Sequence, residues 1–145
     1  MKKKYFLILF LIIILLITGI IIFYSSQNNK ISLKTSSGVV NFNNPETNKN
    51  FINYSGTFYY NKNQDYFFSY NKSYNTISIT INNPDIQKTR DDAEKEFIKV
   101  LGINKSDACK LSVDLRPIGT LISLFELKDI NYGLSFCSNS IAFPK

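Results

Sequence analysis

An apolar stretch near the start of the chain, from Tyr5 to Tyr24, runs for twenty residues without a charge. At a rise of about 1.5 Å per residue it forms a helix of about 30 Å, which matches the hydrocarbon core of a bilayer. Lys2, Lys3 and Lys4 precede it, and basic residues resist translocation. The pattern therefore predicts a single-pass protein of the cell membrane, with its N-terminus in the cytoplasm and its C-terminal domain outside.

A cleaved signal peptide is the competing interpretation of this stretch. The apolar part of a signal peptide is usually about 7–15 residues long and ends before a small-x-small cleavage site. The stretch here is longer, and Tyr24–Gln27 contains no such site. We therefore favour a retained transmembrane helix. The chain then divides into a basic cytoplasmic tip (1–4), a transmembrane helix (5–24), a polar stalk with a short strand at Gly38–Phe42 (25–50) and an extracytoplasmic domain (51–145).

Charge and composition exclude several kinds of function. The net charge is +6, but three of these charges belong to Lys2–Lys4 and the remaining surplus is interspersed, so we expect no nucleic-acid partner. The chain has no histidine, which excludes serine–histidine and cysteine–histidine nucleophiles within one chain. Two cysteines without histidine cannot complete a common zinc site, and glycine is too sparse for a phosphate-binding loop. We therefore expect no metal and no cofactor.

Cys109 and Cys137 are the only cysteines. In an exported domain such a pair most often forms a disulfide, whereas a reducing compartment would favour two buried free thiols. The spacing is far from the Cys-x-x-Cys pattern of redox-active pairs. We predict a disulfide bond between the two residues.

From residue 51 onward, the hydrophobic pattern predicts strands first. Short apolar runs at 57–60, 65–70 and 74–81 are separated by polar clusters, which is typical of an antiparallel β-meander. In the third run, Ile77, Ile79 and Ile81 alternate with polar residues, which indicates one buried face.

A helix and further strands are predicted to follow the meander. Ala93, Phe97, Val100 and Leu101 recur at helical spacing, and Gly102 follows them as a C-terminal cap, so we expect one amphipathic helix. A short second helix is expected at 107–110, and C-terminal strands are expected at 111–116, 120–127 and 132–137. The fold class is therefore α+β, with the amphipathic helix covering one face of the sheet.

Two cysteine-centred motifs carry a resemblance to known proteins. LGI at 101–103 is followed by DACKL at 107–111, and NYGLSFC occupies 131–137. These motifs resemble a group of small, uncharacterised exported proteins from reduced-genome bacteria. The resemblance covers residues 57–138 and implies an N-terminal anchor, an aromatic meander, a helix and a paired-cysteine end, but no activity.

Tyrosines concentrated in the predicted meander are the best candidates for contact with a partner. A small domain cannot bury aromatic side chains on both faces of a ribbon, and exposed tyrosines stack on sugars, peptides or another subunit. In the alternative interpretation, one face is core and the other holds cross-strand aromatic pairs that stabilise the meander. The candidate partner-binding residues are Tyr59, Tyr60, Tyr66, Tyr70 and Tyr74.

Three functions remain open from the sequence, and the first is favoured. It is a non-enzymatic binding or scaffold module at the outer face of the membrane, with a protein or a cell-wall polymer as its partner. The second is a pilin-like subunit of a surface filament or secretion apparatus, although the usual acidic residue near the start of the apolar helix is missing. The third is a membrane-anchored hydrolase that uses carboxylates. Against it, the helix carboxylates Asp91, Asp92, Glu94 and Glu96 are expected on a solvated face, so we assign no catalytic residue.

Overall fold

The computed structural model describes residues 2–27, 29–60 and 63–144. It forms two compact units, one up to Lys30 and one from Ile31 onward. The first unit contains helix α1 (Lys2–Gln27). Met1 lies outside the described residues, and so do the side chains at 2–7, 9 and 24–27, which include those of Lys2–Lys4, Tyr5 and Tyr24.

The prediction of a transmembrane helix at residues 5–24 is wrong for this structure. Within the described ranges, no helix combines the length and the apolar character needed to cross a membrane.

A five-stranded sheet forms the centre of the second unit. Beyond α1 the elements are, in chain order, β1 (Lys30–Thr35), β2 (Gly38–Asn43), β3 (Phe51–Tyr54), β4 (Thr57–Tyr60), β5 (Tyr66–Asn71), β6 (Thr76–Ile81), α2 (Ile86–Leu101), α3 (Lys105–Ala108), β7 (Val113–Pro117) and α4 (Gly119–Leu124). The sheet has the order β3-β4-β5-β6-β7, and β1 and β2 form a separate hairpin. Strands β3 to β6 are antiparallel, while β7 is parallel to β6. The α+β class and the β-meander are confirmed, and β3 is an additional strand of the meander.

Side chains alternate between the two faces of the sheet, as the period of two in a strand requires. Laterally paired residues on the core face form the row Phe51, Tyr60, Phe68, Ile79 and Leu115. The neighbouring row on the outer face is Ile52, Tyr59, Ser69, Ser78 and Asp114. Ile77, Ile79 and Ile81 are all buried, so the predicted buried face of the third run is confirmed.

Helix α2 packs on the core face of the sheet, and its predicted apolar stripe is confirmed. Ala93, Phe97 and Leu101 are buried, and the Phe97 ring meets the Phe68 ring edge-on with their centroids 5.7 Å apart. The helix ends at Gly102, which has a left-handed φ of 63° and donates its N–H to the Lys99 carbonyl oxygen. Glycine adopts this conformation without the steric cost that a Cβ imposes, as the predicted cap required.

The predicted strands at 120–127 and 132–137 are wrong. Residues Gly119–Leu124 form helix α4, and the chain from 128 to 144 is irregular. The side chain of Asn131 explains why no strand adds to β7: its Oδ1 accepts from Leu115 N–H and its Nδ2 donates to the Val113 carbonyl, each at 2.9 Å. The amide side chain thus occupies the β7 backbone groups that another strand would use.

The segment expected to be a polar stalk contributes to the core. The strand predicted at Gly38–Phe42 forms as β2, and its Val40 and Phe42 are fully buried. Phe42 meets Tyr70 edge-on with ring centroids 6.0 Å apart, and Asn43 Nδ2 donates to the Val100 carbonyl at 3.0 Å. The compact unit therefore includes the β1–β2 hairpin from Ile31 onward.

Candidate functional site

The five candidate tyrosines lie on different sides of the sheet. Tyr60, Tyr66 and Tyr70 point into the core and are nearly inaccessible, so they cannot present their rings to a partner. Tyr60 stacks on Phe68 with centroids 5.2 Å apart. Only Tyr59, which is 38% exposed on the outer face, and Tyr74, which is 78% exposed between β5 and β6, offer ring surface.

Tyr60 reaches from the core to a carboxylate at the surface of α2. Its hydroxyl donates to Glu96 Oε1 at 2.6 Å. Burial raises the pKa of Tyr60 well above its ordinary value, and the hydrogen bond to Glu96 raises it further. The phenol therefore stays protonated and acts as a fixed donor that holds Glu96 in place, rather than as an acid or a base.

The most exposed apolar side chains of the sheet gather on the outer face where β3 pairs with β4. Ile52 is 70% exposed and lies directly opposite Tyr59, and Tyr54 is 73% exposed two residues along the same face of β3. We call Ile52, Tyr54 and Tyr59 the exposed edge patch. A patch of this kind on a small domain is typical of a contact surface, because tyrosine offers apolar area with a polar tip.

A cleft lies beside the same strand, between β3 and helix α2. The loop before β3 contributes Asn48, Lys49 and Asn50, and the sheet contributes Ile52 and Tyr60. Asn43 and the α2 residues Glu96, Lys99 and Val100 complete the lining. The cleft has a volume of about 680 Å³, which falls within the usual range for ligand sites. We call it the edge cleft.

A smaller cleft of about 320 Å³ contains the carboxylates that a hydrolase would need. Asp65, Asp92 and Glu96 line it together with Lys95. Each carboxylate already interacts with a donor from the chain itself: Asn83 Nδ2 lies 2.8 Å from Asp65 Oδ1, Lys95 Nζ lies 3.7 Å from Asp92 Oδ1, and the Tyr60 hydroxyl binds Glu96. Within the described part of the chain, no three carboxylate, cysteine or histidine side chains are grouped to hold a metal ion.

The expectation of a solvated face for Glu94 is wrong, because Glu94 and Arg90 form a buried ion pair. Arg90 is 1% exposed and Glu94 is 4% exposed, and Arg90 Nε lies 3.0 Å from Glu94 Oε1. Glu94 also accepts the backbone N–H of Ser135 at 2.6 Å and a hydrogen bond from the Ser135 hydroxyl. The sequence could have indicated this burial, because positions 90 and 94 lie at helical spacing from Ala93, Phe97 and Leu101 and so fall on the same face of α2.

Arg90 uses its remaining donors on the backbone of the C-terminal segment. Nη1 donates to the Ile141 carbonyl at 3.0 Å, and Nη2 donates to the carbonyls of Tyr132 and Gly133 at 3.1 and 2.8 Å. The guanidinium also lies 5.1 Å from the centroid of the Phe143 ring. This network holds an irregular segment against α2.

Cys109 and Cys137 are joined in a disulfide, with their Cα atoms 5.5 Å apart. The bond connects the residue that follows α3 to the irregular C-terminal segment. The predicted pairing is therefore present, although its second member lies outside any strand.

Comparisons with known proteins identify no relative of this chain: no family model, no curated protein and no solved structure matches it. The resemblance to small exported proteins of reduced-genome bacteria accordingly stays a prediction. The local geometry is the basis for a functional proposal.

Proposed function

We propose that the domain beginning at Ile31 is a non-enzymatic binding module that contacts a protein or a wall polymer through the exposed edge patch. The observation that carries this proposal is the exposure of Ile52, Tyr54 and Tyr59 on the outer face of β3 and β4. Leaving three large apolar side chains in water forgoes the favourable free energy of burial, roughly 25 cal/mol per Å². A partner that covers the patch would recover part of it.

The disulfide supports an oxidising compartment as the place where this module works. Disulfides persist in exported proteins and are rare where thiols are kept reduced. The Cys109–Cys137 bond is therefore what an extracytoplasmic domain would carry.

Neither alternative function gains a specific supporting observation. A carboxylate-dependent hydrolase would draw on Asp65, Asp92 and Glu96, but all three interact with donors of the same chain. The apolar side chains that α1 exposes between Phe10 and Phe23 would suit a pilin-like subunit, but they do not distinguish it from a binding module.

Site-specific crosslinking tests the proposal in intact cells. A photoreactive phenylalanine analogue is placed at Tyr59, at Tyr54, or at Tyr74 as a control, since Tyr74 is at least as exposed as the other two but lies at the β5–β6 turn. We expect one discrete crosslinked product from positions 54 and 59 and none from position 74. Equal products from all three positions would contradict the proposal. So would the absence of products from 54 and 59 combined with no co-sedimentation that depends on Tyr59.

A second measurement covers the wall-polymer case. Purified cell-wall material is sedimented with the wild-type chain and with Tyr59→Ala and Tyr74→Ala. We expect either discrete protein crosslinks or co-sedimentation that Tyr59→Ala weakens and Tyr74→Ala does not. Circular dichroism of both variants separates a lost contact from a lost fold.

A further inference from the structure

The two edges of the sheet differ in what their backbone groups contact. At the β7 edge, Asn131 bonds the Leu115 N–H and the Val113 carbonyl, and Tyr132 N–H donates to the Leu115 carbonyl at 2.9 Å. At the β3 edge, no strand of the described chain pairs with the side of β3 that faces away from β4. Strand β3 also has neither a lysine nor a proline, which are the residues that usually protect an edge from added strands.

The β3–β4 hairpin determines which backbone groups point outward. Its two-residue turn, Ser55–Gly56, has φ values of 50° and 81°, which is the signature of a type I′ turn closed by Tyr54 and Thr57. Hydrogen-bonded and non-hydrogen-bonded pairs then alternate, so Asn53 and Phe51 direct their N–H and C=O groups away from β4. The Phe51 N–H donates to the Asn48 carbonyl at 2.9 Å. Asn53 instead directs its backbone N–H and C=O to the open edge.

The edge cleft meets this open edge near the start of β3. Ile52 of β3 lines the cleft together with Tyr60 of β4. Asn53, whose backbone N–H and C=O point to the open edge, is the next residue of the strand after Ile52. Helix α2 forms the opposite wall through Lys99 and Val100. A groove between an edge strand and a helix suits an extended peptide, because its backbone pairs with the strand while alternate side chains meet the helix.

The charges around the cleft favour an acidic occupant. Lys49 and Lys99 bring two positive charges, against one carboxylate from Glu96. That carboxylate is engaged by the Tyr60 hydroxyl at 2.6 Å and by Lys99 at 3.7 Å. An approaching segment therefore meets a net positive lining, and electrostatic complementarity selects acidic side chains.

We propose that the edge cleft binds an extended peptide segment with acidic side chains, which adds to β3 as a sixth strand of the sheet. The Asn53 N–H and C=O supply the main-chain hydrogen bonds, and Lys49 and Lys99 bind the acidic side chains. This inference goes beyond the exposed edge patch, because it concerns the backbone edge and the cleft beside it.

Peptide selection on the full chain tests the inference. A displayed library of random decapeptides is selected against the immobilised chain, and the enriched sequences are synthesised and titrated by fluorescence anisotropy. We expect enrichment of Asp and Glu at alternate positions. Asn53→Pro removes the outward N–H and should weaken binding about tenfold, in line with the loss of one hydrogen bond and a poor steric fit. Asn53→Ala is the matched control, since it removes the same side chain but keeps the N–H.

A charge pair of variants keeps the test valid if Asn53→Pro fails to fold. The double variant Lys49→Gln with Lys99→Gln should bind the selected peptides more weakly, and its binding should depend less on salt concentration. Lys95→Gln, on α2 but outside the edge cleft, should change neither the affinity nor its salt dependence. The inference is overturned if no acidic peptides are enriched, or if they bind these variants as they bind wild type. It is also overturned if the wild-type chain dimerises and Asn53→Pro does not, because a second copy would then occupy the edge. Crosslinking at Tyr59 is independent of all these outcomes, so the two proposals fail separately.

Discussion

Arg90 Nη2 donates a hydrogen bond of 2.8 Å to the Gly133 carbonyl oxygen, and the two residues are 43 positions apart in the chain. The same guanidinium bonds Glu94, Tyr132 and Ile141. Residues 125–144, which the structure describes after α4, form no strand. A buried side chain on α2 therefore supplies hydrogen bonds that a sheet would otherwise provide, and it keeps this segment packed on the core.

Replacing Arg90 should destabilise the fold strongly. Arg90→Met leaves Glu94 buried without its positive partner, and breaking a buried ion pair from one side costs about 3–5 kcal/mol. Urea denaturation followed by circular dichroism measures the free energy of unfolding. Lys95→Met is the matched control, since its ion pair with Asp92 is exposed and contributes about 0–1 kcal/mol. Equal losses in the two variants would contradict the role assigned to Arg90.

Truncation of Phe42 tests whether the β1–β2 hairpin belongs to the core. Phe42→Ala removes a ring that is fully buried against Tyr70 and should cost about 3–5 kcal/mol of unfolding free energy. Val39→Ala, at an exposed position on the same strand, should change it by less than about 0.5 kcal/mol. A small effect of Phe42→Ala would instead mean that the hairpin is a dispensable stalk. Thermal and urea unfolding of both variants give the comparison.

Loss of the disulfide should reduce the stability by about 3–4 kcal/mol in the loop-entropy description. The estimate follows from the separation of 28 residues between Cys109 and Cys137. Urea midpoints with and without a thiol reductant measure the effect on wild type. The double variant Cys109→Ser with Cys137→Ser should have the urea midpoint of the reduced wild-type protein, and a reductant should not change that midpoint. An unchanged midpoint on reduction would show that the Arg90 network alone holds the C-terminal segment.

Stability should fall in alkaline solution, and Tyr60 should account for part of that fall. Burial and the hydrogen bond to Glu96 raise the pKa of Tyr60 above its ordinary value of 10.0. The unfolded chain therefore loses this proton at a lower pH than the folded chain does. Tyr60 contributes fully to the free energy of unfolding below pH 10. As the pH rises above 10 this contribution decreases, by up to about 1.4 kcal/mol per pH unit.

Tyr60→Phe tests this dependence through urea unfolding at several pH values between 8 and 11. The variant should show a shallower decline above pH 10 than wild type. Burial also raises the pKa of Tyr70, so Tyr60→Phe combined with Tyr70→Phe should flatten the decline further. Identical slopes in wild type and the double variant would exclude these two phenols as its source.

Local patterns were sufficient to predict the elements whose periodicity is strong. The alternation at Ile77, Ile79 and Ile81 located β6, and the spacing of Ala93, Phe97 and Leu101 located α2 with Gly102 at its end. The weak point was the C-terminal part. There a short apolar run at 120–127 suits either a strand or a buried helix, and periodicity alone does not distinguish them.

The candidate site was only partly predictable, for the same kind of reason. Aromatic residues in β4 and β5 were correctly singled out as a concentration of apolar surface, but the choice between core and outer face depends on which side the helix covers. The structure directs Tyr60, Tyr66 and Tyr70 inward and leaves Tyr59 outside. The open edge of β3 could not be predicted from the sequence, because which strand lies at an edge depends on the order of strands in the sheet.

By itself the sequence determined the α+β class, the meander, the amphipathic helix and the cysteine pair, because each of these depends on residue type and spacing along the chain. Only the tertiary structure decided that Val40 and Phe42 join the core, that Arg90 and Glu94 are buried together, and that β7 is closed by Asn131 while β3 is open. These features arise from contacts between residues far apart in the chain. The free energy that favours them is gained only when the elements pack, so no local pattern records them.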